Sequence, residues 1–95
     1  MRGSSYNYQD RKAFVFTDEG QRMLFRIWEF AQKACAIAGA VRAKELMAAA
    51  GAGDSFDMMA CIDRLVELGL LNEALPQQIK DQIPWQHSIY YRRGE

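Results

Sequence analysis

The stretch DSFDMMACIDRLVELGLL, Asp54 to Leu71, constrains this chain more than any other. It follows a glycine-rich corner, Gly51-Ala52-Gly53, and opens with Asp54 and Ser55, either of which is a natural N-cap. With Met58 as reference and about 100° per residue, Ile62, Leu65 and Gly69 fall on one side, flanked by Cys61, Val66 and Leu68. The opposite side carries Phe56, Ala60, Asp63 and Glu67, with Asp57 and Arg64 at one margin and Met59 at the edge of the core. The pattern predicts a helix from Phe56 to Leu68, closed by Gly69, with Leu70 and Leu71 starting a strand. One face must be buried by other elements, and the other is acidic and tipped by a phenylalanine.

Upstream, Thr17 offers an N-cap, and Asp18 and Glu19 suit the positive end of a helix dipole. A helix from Asp18 to Ile37 follows, with a core stripe of Leu24, Ile27, Trp28, Ala31, Cys35 and Ala38. Met23, Phe25 and Phe30 lie beyond that stripe, though Phe30, like Trp28 and Tyr90, reads as core. So wide an apolar arc belongs to a deeply buried helix or to one whose edge meets another chain, a homodimer through 18–37 being one form. Gly39 breaks the helix, Ala40-Val41-Arg42 is a connector or one-bridge strand, and a helix from Ala43 to Ala50 turns Leu46 and Met47 inward. Leu70 to Leu75 and His87 to Arg92 read as the strands of a hairpin. The segment PQQIKDQIPWQ between them has room for a helical turn around Ile79 and Ile83. Residues 1–12 are polar and are expected to form a flexible arm carrying Arg2, Arg11, Lys12, Tyr6 and Tyr8, which either frays or touches a partner or DNA backbone. Ala13-Phe14-Val15-Phe16 is β-prone, and 13–95 makes one small domain.

Composition narrows the function classes. The 95 residues hold 12 basic and 12 acidic side chains, so the chain is not a strongly basic nucleic-acid coat. Two cysteines and one histidine cannot supply a four-ligand zinc site, so no metal or cofactor is expected. Cys35 and Cys61 fall on core faces and read as buried thiols of a reduced chain. AGAGD, at 50–54, lacks the lysine of a phosphate-binding loop, and His87 has no nucleophile beside it, so no catalytic site is expected. The start has no apolar signal region, and no apolar run approaches the roughly 18 residues of a membrane span, which makes the cytoplasm the default compartment.

The segments AVRAKELMAAAG (40–51) and IDRLVELGLLNEA (62–74) resemble the winged helix-turn-helix superfamily, and the resemblance extends over about residues 17 to 92. It implies a mostly α fold with a small β-hairpin, a single winged-helix domain, and a DNA-binding transcriptional regulator. It also implies that the helix after Gly53 enters the major groove, with Phe56, Asp57, Met59, Ala60, Asp63 and Arg64 facing it and the hairpin as the wing. On that reading Arg42, Lys44, Ser55, Arg64, Arg92 and Arg93 hold double-stranded DNA.

The residues also support a second class. DNA affinity comes mostly from lysine and arginine at phosphates, and base reading favours Arg, Asn and Gln. The outward face of this helix has one Arg and no Asn, Gln or Lys. Read as a protein-interaction module, an adaptor or inhibitor, the chain docks a partner protein through Phe56, Met59, Asp63 and Glu67.

Overall fold

The structure, a computed structural model, describes residues 6–73 and 90–94. It is mostly helical, with a small antiparallel sheet. The described residues run α1 (Tyr8–Val15), α2 (Asp18–Ala38), β1 (Val41–Arg42), α3 (Ala43–Ala49), α4 (Ser55–Glu67), β2 (Leu71–Glu73) and β3 (Tyr90–Arg93) in chain order. The order β1-β3-β2 puts the last strand in the middle, with Val41 opposite Tyr91 and Leu71 opposite Arg93. Val41, Leu71 and Tyr91 are buried and turn the sheet's inner face to the core.

The helix termini follow local chemistry. Thr17 accepts a hydrogen bond from the Gly20 N–H at 3.0 Å and caps α2. Of the two candidate caps for α4, Asp54 does the work, accepting from the Phe56 N–H at 2.7 Å. The backbone N–H of Arg42 donates to Glu45 Oε1 at 3.0 Å, tying β1 to the first turn of α3. The corner between α3 and α4 runs through Gly51 at φ 86° and Gly53 at φ 149°, conformations that side chains resist.

The core gathers Met23, Ile27 and Ala31 of α2, Leu46 of α3, and Met58, Cys61, Ile62 and Leu65 of α4. The α4 face was legible from its period. The α2 stripe is rotated from the expected one: Met23 is buried, Leu24, Trp28 and Cys35 are half-buried, and Ala38 and Phe30 are exposed. A helix apolar over so wide an arc leaves its rotation to its neighbours, here α1, α3 and α4.

The N-terminal segment differs most from expectation. Tyr8–Val15 form a helix, so the expected arm is helical from Tyr8 onward, as is the β-prone run up to Val15. Asn7 supplies the cap, accepting from the Gln9 N–H at 2.9 Å, with Asp10 in the first turn. Val15 is fully buried. Gly20 lets α1 close against α2, since a Cβ there would lie 2.0 Å from the Phe14 carbonyl oxygen. Leu75, the 76–86 connection with Trp85, His87 and Ile89 lie outside the described residues. Among those described, no helix is long and apolar enough to cross a membrane.

Candidate interaction surfaces

The outward face of α4 is covered by α1, and the covering follows helical spacing. Tyr8, Arg11, Lys12 and Val15 recur at i, i+3, i+4 and i+7 along α1. Each acid on the outer side of α4 meets a donor from that segment. Arg11 Nη1 lies 3.4 Å from Asp57 Oδ1 and 3.8 Å from Asp54 Oδ2. The Tyr6 hydroxyl donates to Asp63 Oδ2. Glu67 accepts from the Tyr8 hydroxyl at 2.7 Å, from Lys12 Nζ at 2.9 Å, and from Arg64 of its own helix at 2.9 Å.

The aromatic tip is covered in the same way. The Phe56 ring meets Tyr6 at 5.6 Å between centroids, and the Arg11 guanidinium stands 5.1 Å from the same centroid. Arg64 is 5.0 Å from the ring of Phe16, just past the end of α1. With α1 packed on α4, Ala60 is fully buried, not outward as the single-helix projection placed it.

The proton affinities of these groups follow from their hydrogen bonds and burial. Hydrogen bonds from Tyr8, Arg64 and Lys12 hold the Glu67 carboxyl down at about 2. Burial pushes the Asp63 carboxyl above its ordinary value, outweighing the Tyr6 hydrogen bond, which acts the other way. Desolvation, then the hydrogen bond to each carboxylate, raises the hydroxyls of Tyr6 and Tyr8. The Cys61 thiol, buried and 3.8 Å from the Gly20 carbonyl oxygen, is pushed up to about 12 by desolvation.

The other sequence-selected residues scatter. Arg42 and Lys44 are exposed at the start of α3, and Ser55 is exposed in the first turn of α4. Arg64 is half-buried and engaged with Glu67 and Phe16. Arg42 lies opposite Tyr90, whereas the exposed Arg93 lies opposite Leu71, so these two arginines sit at opposite ends of β3. Arg92 is placed by its backbone opposite Asn72, and its side chain lies outside the described set. Met59 is half-buried. Of the described side chains in the expected DNA-contact set, Arg64 is turned to Glu67 and Phe16, while Phe56, Asp63 and Glu67 are brought together against α1 and the Tyr6 that precedes it. Among the described residues, no three His, Cys, Asp or Glu stand together as a metal site.

A second surface, on α2, was flagged only by its aromatic edge. Phe25 is 58% and Ile37 88% exposed, and both border a row of exposed cations, Arg22, Arg26 and Lys33. No match to this chain was found among known protein families, curated proteins or solved structures.

Proposed function

We propose that this chain is a winged helix-turn-helix domain that works as a protein-interaction module, not as a reader of DNA. The order helix, short strand, helix, glycine corner, helix, strand pair over α2 to β3 supports the fold reading. One observation carries the functional reading: the α4 face that a winged helix would lay in a groove is acidic, and α1 lies across it. A phosphate lattice would meet Asp57, Asp63 and Glu67 there, and it would have to displace Arg11 and Lys12 first. Among the described residues, the outer side of α2 lies open, with Arg22 and Arg26 beside Phe25, residue types enriched in protein interfaces.

The deciding experiment is anisotropy of a labelled random duplex titrated with the chain from low to physiological salt, beside the double variant Arg42→Glu/Lys44→Glu. The module reading expects no saturable binding at low salt. Binding that weakens steeply with salt and disappears in the variant overturns it and restores the DNA-binding regulator.

A further inference from the structure

The row on α2 has a definite geometry. At about 100° per residue, Arg22, Arg26, Glu29 and Lys33 fall within roughly 60° of one another. Phe25 borders them on one side, Phe30 and Ile37 on the other. All seven are exposed. Among the described residues, none of Arg22, Arg26 and Lys33 forms an ion pair, whereas Arg11, Lys12 and Arg64 all do. At the N-terminal end, Gln21, Arg22, Phe25 and Arg26 line a shallow groove. Asp18 and Glu19 sit one turn further back, where they complement the helix dipole.

We propose, resting on the reading of the chain as a protein-interaction module, that this face docks an acidic amphipathic helix of a partner protein, laid along α2 from Arg22 to Ile37. That length is roughly 22 Å, or about four turns. The partner's carboxylates meet the central cations, and apolar residues flanking that acidic stripe on both sides cover Phe25 on one edge and Phe30 and Ile37 on the other. The α4 face shows the same chemistry with the signs exchanged: α1 and Tyr6 bring cations and tyrosines onto the acids and phenylalanine of α4. A nucleic-acid backbone would use the cations but leave Phe25 and Ile37 in water. A second copy matches only in part, since an antiparallel α2 pair sets Arg26 against Glu29 of the other copy but brings Arg22 and Lys33 together at both ends, and a parallel pair opposes each cation to itself.

The test uses the full chain and a fluorescein-labelled helical peptide of about 18 residues, long enough to hold helix. Glutamates run along the face laid on the cations, and leucines flank them on both sides. Two controls replace every glutamate by glutamine or by lysine. Anisotropy should show the glutamate peptide binding at least about tenfold more tightly than the glutamine peptide, a difference of about 1.4 kcal/mol. Arg22→Glu/Arg26→Glu should reverse the order, so that the lysine peptide binds best, a gain that misfolding does not produce. Phe25→Ser/Ile37→Ser should weaken both the glutamate and glutamine peptides, with unchanged circular dichroism showing that the fold is kept.

Equal binding of the glutamate and glutamine peptides, no binding of either, or no exchange of preference on charge reversal overturns the inference. So does a dimer in light scattering that Ile37→Ser abolishes, which gives this face to a second copy. A duplex that competes the peptide off assigns the face to phosphate. Failure of the peptide alone removes the acidic partner and leaves the module reading standing. Salt-sensitive duplex binding through Arg42 and Lys44 removes the module reading itself.

Discussion

α4 and α2 each turn a charged, aromatic-edged face away from the core, and among the described residues only the α4 face is covered by the chain itself. The difference lies in what the neighbouring sequence supplies. Tyr6, Tyr8, Arg11 and Lys12 complement Phe56, Asp57, Asp63 and Glu67 in charge and ring, and Gly20 lets their helix approach closely enough to use that match. Nothing described in the chain plays that part for Arg22, Arg26 and Lys33. A charged helical face is therefore informative about partners only after the rest of the same chain has been tried against it.

The largest contrast is within α2 itself. Ile27 is fully buried, and Ile27→Ala should cost about 3 kcal/mol in urea unfolding, as truncations in packed cores do. Phe25→Ser, two residues away on the exposed face, should change stability by less than about 0.5 kcal/mol. If Phe25→Ser proved as costly as Ile27→Ala, that face would be structural and the contrast with α4 would fail.

The next effect acts on the closed face. Gly20→Ala places a methyl against the Phe14 carbonyl and the Val15 Cα and should force α1 away from its seat, at a cost of about 2 kcal/mol. Cys61 reports the movement. Its thiol, raised to about 12 by burial, should resist a thiol reagent at neutral pH in the parent chain, where the half-buried Cys35 reacts faster. In Gly20→Ala the Cys61 rate should rise while that of Cys35 stays. An unchanged Cys61 rate with full stability would mean that α1 does not depend on the close approach at Gly20.

The same contrast explains what could be read from the sequence. α4 was legible because its apolar period, its Asp54 cap and Gly69 agree within one segment. The residues that dock α1 are mostly polar, so a search for apolar periodicity passes over Tyr8, Arg11 and Lys12. Their counterparts on α4 lie 46 to 59 residues away, a pairing that no local rule detects. Two signals were present and went unread: Asn7 three residues before Asp10, which suits a helix start, and the 8, 11, 12, 15 spacing. Helical spacing alone puts Phe56, Asp63 and Glu67 on the outward side of α4, but not the segment that covers them, because a polar stretch at a chain terminus reads as a flexible arm.

Individual links across the closed face are small. Arg11 pairs with Asp57 and Asp54 at a partly exposed site, and Arg11→Ala should cost about 0.5 kcal/mol. Part of that comes from the lost contact with Phe56, so Arg11→Lys, which keeps the charge but not the planar guanidinium, should recover only some of it. Full recovery in urea titrations would reduce the Phe56 contact to coincidence.

The smallest effect is the one with a pH signature. The Glu67 carboxyl is depressed from an ordinary 4.5 to about 2 by Tyr8, Arg64 and Lys12. A depressed acid adds stability that is present above its unfolded value and is lost as pH falls through its folded value. The stability difference between the parent chain and Glu67→Gln should therefore be steady above pH 4.5 and shrink between 4.5 and 2. Asp63 works with the opposite sign, since burial raises its carboxyl and its protonation on acidification favours the folded state. Comparing each substitution with the parent cancels the other acid, so urea midpoints for Glu67→Gln and Asp63→Asn across that range should move in opposite directions. If the Glu67→Gln difference does not change with pH, the three donors do not hold Glu67 ionised, and α1 is held on α4 by its buried Val15 and the aromatic contacts, not by charge.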